Sequence, residues 1–297
     1  MFAFLTNNRK QNQQQQLVDS VKLASRTTDP LKLTDLLLSN RPLADKVRLL
    51  FALPLKAVHD KTGMRLLESQ LEERDRGQLA QAVRWLEFCN QPKERRDVAL
   101  EWSEHIIKGD IVMRWMVQRG IYLREEARAL QKSLVLDDKT EREARAGRYK
   151  LKDYEDELRH LNDGYWEMSR ELYLLEANIP DGALKRAFES CRADPEWYLS
   201  QWLREDCARR GGCCGRDCGC CEKARTNHYE WNRGHCTKAC GCCLRKKQCG
   251  DEAAFSNKNE SEMDDVDIAS RNSPYGIRLF RAYIWGLSAL DELNLLD

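Results

Sequence analysis

The feature that most constrains this chain is a cysteine motif that occurs twice, at residues 212–223 and 234–245. The first copy is GCCGRDCGCCEK and the second is GHCTKACGCCLR, and an offset of 22 residues aligns them. Four cysteines coincide between the copies, whereas Cys213 coincides with His235. Cysteine and histidine replace each other at metal-ligand positions but not in a disulfide. The repeat therefore predicts a metal-binding region.

The repeat and its flanks supply ligands for several metal ions. Twelve candidate ligands lie in the region, namely Cys207, Cys213, Cys214, Cys218, Cys220, Cys221, His235, Cys236, Cys240, Cys242, Cys243 and Cys249. Adjacent cysteines point their side chains apart, so a C-C pair favours two neighbouring ions over one. Twelve terminal ligands fill three closed tetrahedral zinc sites, whereas bridging sulfurs would allow four ions and a spectator cysteine would leave two. We therefore expect zinc, with three ions favoured; copper(I) would also accept the thiolates.

Disulfides are the less favoured explanation of these cysteines. Eleven of the 13 cysteines lie between residues 207 and 249, which is an odd number. The N-terminal stretch MFAFLTNNRKQNQQQQ has too short an apolar segment for a secretory signal, and no run of 18 apolar residues predicts a membrane span. We therefore expect an intracellular protein, cytoplasmic or nuclear, with reduced thiols and no membrane contact.

The local charge decides how the basic residues of the cysteine region are interpreted. Residues 207–249 contain ten basic and three acidic side chains, although the whole chain is balanced at 49 basic and 48 acidic residues. Eleven thiolates and three divalent zinc ions carry a net charge of −5, which cancels most of the local surplus of +7. A zinc-dependent nucleic-acid binder or transcriptional regulator, contacting phosphates through Arg245, Lys246 and Lys247, is therefore the less favoured alternative.

Apolar spacing predicts a helical body before the cysteine region. Residues 151–179 carry apolar side chains in a 3-4-3-4 spacing, and residues 123–134 repeat that spacing. Gly120 is predicted to end the preceding helix, and the charged segment 137–150 separates the two stripes. We favour an antiparallel hairpin around 121–179, because a partner stripe is available in the same chain; an intermolecular coiled coil has the same spacing.

The expected fold class is mainly α, with a helical bundle or hairpin body, an inserted irregular cysteine-rich module and a C-terminal amphipathic helix. Asp194-Pro195-Glu196 is a helix-start signal, and the helix it opens should lead directly to Cys207. The predicted segments are a weakly ordered lead-in at 1–29, a helical domain at 30–206, the metal-binding module at 207–250, an acidic disordered linker at 251–273 and a helix at 274–297 that packs on the body.

Two resemblances follow from these motifs. The C-x-C-C spacing is locally similar to that of metallothioneins, which hold polynuclear thiolate clusters. The stretch WYLSQWLREDCARRGGCCGRDCGCCEKAR, with RGHCTKACGCC and RAYIWGL further on, resembles a group of cysteine-rich proteins of filamentous ascomycete fungi. The resemblance covers residues 194–250 and 274–290, and it implies an intracellular fungal protein without implying an activity.

The sequence favours a non-catalytic function. It contains no zinc-protease, P-loop, serine-hydrolase or dinucleotide-binding motif. Closed thiolate sites also leave no open metal position for a substrate. We expect an interaction scaffold built on a structural zinc–thiolate module, with a protein as partner. Nucleic-acid binding is the first alternative, and metal buffering is the second.

Overall fold

The computed structural model of the protein describes residues 2–136, 140–194, 197–209, 212–216, 219–222 and 274–287. These residues form helices and turns without a strand, so the prediction of a mainly α fold is confirmed. The α-helices are α1 (Phe2–Arg26), α2 (Thr34–Leu38), α3 (Leu43–Phe51), α4 (Leu55–Val58), α5 (Lys61–Glu72), α6 (Gly77–Cys89), α7 (Lys93–Leu136), α8 (Glu141–Ala177), α9 (Ala183–Ala193), α10 (Gln201–Arg209) and α11 (Pro274–Trp285). None of these described helices combines the length and apolar character needed to cross a membrane.

The described residues divide into two compact units. The first unit contains residues 2–101, 180–194 and 281–287, and α6 packs there against α5 and α9. In this unit the buried carboxylate of Glu68 accepts hydrogen bonds from Arg84 at 2.7 Å and from Arg186 at 3.2 Å. The end of α11 is anchored in the same unit, because Trp285 is fully buried with its ring centroid 5.1 Å from that of Trp85.

The second unit contains the predicted hairpin, formed by the part of α7 from Trp102 onward and by α8. Trp102 Nε1 donates to the Leu175 carbonyl at 2.7 Å near one end of the hairpin. A Cβ added to Gly147 would lie 2.7 Å from the side chain of Leu134 near the other end. The part of α7 near Trp102 therefore contacts the end of α8, so the two helices are antiparallel. The apolar stripe of α8 thus has its partner stripe within the same chain.

Helices extend beyond the limits that the sequence predicts at three places. Residues 2–26 form α1, although a weakly ordered segment was expected over 1–29. Gly120 does not end a helix; α7 continues through it to Leu136, since packing on α8 outweighs a helix-propensity cost of about 1 kcal/mol. The charged segment 137–150 is helical from Glu141, where Thr140 and Glu143 form a reciprocal capping box.

The helix expected before the cysteine region is interrupted. Residues Trp197–Leu199 form a 3-10 turn, and α10 starts only at Gln201. Helix α10 then extends past Cys207 to Arg209, so this cysteine is part of a helix. The predicted linker at 251–273, the second motif copy at 234–245 and the end of the last helix beyond residue 287 lie outside the described residues.

Candidate metal centre

Two short turns follow α10 and return the chain towards Cys207. The backbone N–H of Gly212 donates to the Cys207 carbonyl at 2.7 Å and closes the end of α10. A 3-10 turn at Cys213–Arg216 carries Cys214, and a second at Cys220–Glu222 carries Cys221. Glycine is required before the second turn, because Gly219 has a φ of 61°, in the left-handed region. These two turns bring Cys214 and Cys221, seven and fourteen residues after Cys207, back to the side chain of Cys207.

The sulfur atoms of Cys207, Cys214 and Cys221 lie within 4.8 Å of one another. Cys207 and Cys221 are buried, with 1% and 3% of their surfaces exposed, whereas Cys214 is half-buried. Zinc–sulfur bonds of about 2.3 Å in a tetrahedral site place ligand sulfurs about 3.8 Å apart. The three thiols can therefore hold one metal ion after a contraction of at most about 1 Å.

The thiols of this triad (Cys207, Cys214 and Cys221) share hydrogen bonds. The hydrogen bond with Cys207 lowers the pKa of Cys214, but the hydrogen bond with Cys221, burial and the neighbouring Cys221 raise it, and the net pKa is about 12. Without a metal, the Cys214 thiol is therefore protonated at neutral pH. A bound cation reverses this balance, because it removes the thiol protons and leaves thiolate ligands.

The hairpin supplies an apolar wall behind the triad. Val117 and Ile121 from α7 and Tyr165 from α8 belong to one buried cluster that also contains Cys207 and Cys221. Met113, Met116 and Leu199 pack against the same cluster. Cys207 and Cys221 are therefore shielded from water, and in a low-dielectric setting a metal–thiolate bond is electrostatically stronger than in water.

A cationic side chain also lies near the triad. Arg204, one turn before Cys207 on α10, is close enough to Cys214 to lower its pKa. The same guanidinium donates to the carboxylate of Glu222, the residue after Cys221. Arg204 therefore links α10 to the second turn and places positive charge beside the sulfur atoms.

The structure brings together three of the twelve predicted ligands. Cys213 is also buried, at 1% exposed, but its sulfur is not part of the triad. Its neighbour Cys214 is in the triad. This pair therefore agrees with the expectation that adjacent cysteines point their side chains apart. The other eight predicted ligands have side chains outside what the structure describes, and they are Cys218, Cys220, His235, Cys236, Cys240, Cys242, Cys243 and Cys249.

Sequence reasoning missed the residues that attach the triad to the hairpin. Arg114 on α7 donates to Asp206 on α10 at 3.0 Å, and Asp206 directly precedes Cys207. The two partners are 92 residues apart, so no local pattern links them. The sequence feature that could have indicated this attachment is Asp206, an acidic residue immediately before the first cysteine of the region.

No protein-family model, curated protein or solved structure matches the chain. The resemblance to fungal cysteine-rich proteins therefore stays a prediction.

Proposed function

We propose that the protein is a non-catalytic intracellular scaffold in which zinc ions cross-link the cysteine region and fix a surface for a protein partner. The observation that carries the proposal is the triad: three thiols converge within 4.8 Å at the end of α10 and against the hairpin. Zinc is the metal we favour, because it takes closed thiolate and imidazole sites and needs no redox partner. The eight predicted ligands outside the described side chains, together with Cys213, would complete this site and form two further ones.

The surroundings of the triad favour a structural role over metal buffering. A buffering protein exchanges its metal readily, and its metal content follows supply. Cys207 and Cys221 are instead almost fully buried within the core of a folded unit. Metal release there would have to disturb the packing of α10 on the hairpin. We therefore expect a fixed number of tightly held ions.

Exposed apolar side chains on α8 support a protein partner. Trp166 and Tyr173 are seven residues apart on one face of α8, and their surfaces are 52% and 72% exposed. Leu174 beside them is 58% exposed. Tryptophan and tyrosine are enriched in protein interfaces, whereas the surface of a monomer exposes few adjacent large apolar side chains.

Metal removal followed by thiol labelling tests the proposal. The purified full chain is treated with a zinc chelator, alkylated and analysed by peptide mass spectrometry. We expect Cys207, Cys214 and Cys221 to become labelled while most of the helical circular dichroism remains. Cys191 is the internal control, because it is buried at 4% exposed in the other unit and should not respond. Unchanged labelling of the triad after chelation would overturn the proposal.

The scaffold role is tested separately from metal binding. A protein partner retained by the zinc-loaded chain should be released on chelation and should not bind the Cys214→Ser variant. The nucleic-acid alternative is the correct one if the zinc-loaded chain instead retains nucleic acid. Its affinity should then fall steeply with salt concentration and on substitution of Arg245, Lys246 and Lys247.

A further inference from the structure

A buried ion pair joins the cysteine region to the hairpin. Arg114 Nη2 on α7 lies 3.0 Å from Asp206 Oδ2 on α10, and the side chains are 11% and 1% exposed. Arg114 also contacts Asp110, one turn earlier on α7, through its Nε at 2.9 Å. The guanidinium is thus held by a carboxylate on its own helix while it binds the carboxylate on α10.

A buried ion pair adds little net stability, but it is costly to break. Desolvation of both charges offsets most of their attraction, but loss of one partner leaves the other charge buried without compensation. Helix α10 contains only nine residues, so it is too short to be stable without tertiary contacts. The pair Arg114–Asp206 is therefore suited to fix where α10 lies on α7.

The position of α10 determines where the first ligand points. Asp206 and Cys207 are consecutive helical residues, so their side chains differ in direction by about 100°. With Asp206 held against Arg114, Cys207 is directed towards the apolar cluster that contains Val117 and Ile121. A rotation of α10 that broke the ion pair would withdraw the Cys207 sulfur from this apolar cluster.

We propose that Arg114 and Asp206 are positioning residues of the metal site, which hold Cys207 in place before the metal binds. The inference rests on the proposed function, namely that the triad takes up a metal ion. A preformed site binds metal without the cost of ordering its ligands, so loss of the pair weakens metal binding. For residues that orient metal ligands the loss is about 10- to 100-fold.

The test compares two ion-pair variants of the full chain. Asp206→Asn keeps the shape of the side chain and removes its charge, whereas Arg119→Gln breaks a pair between α7 and α8 whose atoms are 2.6 Å apart. The readout is the free zinc concentration that protects Cys207, Cys214 and Cys221 halfway against alkylation. We expect Asp206→Asn to raise that concentration about 10- to 100-fold, and Arg119→Gln to change it less than about twofold.

The outcomes separate this inference from the proposed function. If zinc does not protect the triad of the wild-type chain, the proposed function is wrong. If zinc protects the wild type and Asp206→Asn equally well, only the positioning role is wrong. If Asp206→Asn does not fold, hydrogen exchange of the metal-free wild type provides the test. Amides at 204–207 that are protected as strongly as those of α7 support a preformed site. Unprotected amides at these positions refute it.

Discussion

Replacing Gly120 by alanine tests whether α7 is continuous. The sequence predicts a helix end at this residue, but the structure has a buried glycine inside a helix of 44 residues. A Cβ added at Gly120 would have its nearest neighbours at 3.8 Å, the side chains of Arg124 and Leu158. That distance is an ordinary van der Waals contact, so the methyl group fits.

The magnitude follows from helix propensity and packing. Alanine is favoured over glycine in a helix interior by about 1 kcal/mol, and no steric cost opposes this gain at position 120. At Gly109, on the same helix, an added Cβ would lie 2.5 Å from Leu172 Cδ2 and 3.2 Å from Met168 Sδ. Overpacking of this kind costs about 1–3 kcal/mol, which exceeds the gain in propensity. We therefore expect Gly120→Ala to stabilise α7 by about 1 kcal/mol and Gly109→Ala to destabilise it.

Native-state hydrogen exchange of the α7 amides measures both effects locally. A local measurement is required because a chain with two compact units need not unfold in a single transition. Destabilisation by Gly120→Ala of more than about 1 kcal/mol would refute the reasoning, since a left-handed glycine at a helix end is the arrangement that alanine disrupts. Equal effects of the two variants would show that the helices do not approach closely at Gly109.

Two further predictions concern buried groups in the first unit. Glu68→Gln should lower the free energy of unfolding by about 2 kcal/mol, because Arg84 and Arg186 lose a buried anionic partner although they keep Glu72 and Glu87. Asp45→Ala should cost less than about 1 kcal/mol, since its partner Arg48 is 59% exposed. Equal losses by hydrogen exchange would contradict this. Burial raises the pKa of Cys89 to about 11 from 9.0, so at pH 8 its thiolate fraction is about 100-fold below that of an ordinary cysteine. Alkylation followed by mass spectrometry should be correspondingly slow, and an ordinary rate would contradict the burial.

The hairpin could be predicted from the sequence because its signal is periodic. Residues 151–179 and 123–134 carry matching apolar stripes, and the structure pairs the helices that contain them. The continuity of α7 through Gly120 could not be predicted in this way. Local propensity disfavours it by about 1 kcal/mol, and only contact with α8, distant in sequence, offsets that cost.

For the candidate metal centre, the sequence indicates the type of side chain that could bind a metal, but not which of these side chains lie together. Aligning the two copies identifies the type of ligand at each position, but it does not show which ligands converge. Cys207 lies outside the repeat and nevertheless joins Cys214 and Cys221, because turns on both sides of Gly219 bring the three side chains together. The attachment through Arg114 was equally hidden, since its partner is 92 residues away.

Native mass spectrometry of the purified full chain, wild type beside Cys214→Ser, tests most directly that the triad binds zinc. A bound zinc ion adds a mass that is counted and identified in the same spectrum. We predict a fixed number of zinc ions in the wild type, between two and four, and one ion fewer in the variant. A metal-free wild type, or a variant with the same number of ions, would contradict the claim that Cys207, Cys214 and Cys221 share a metal.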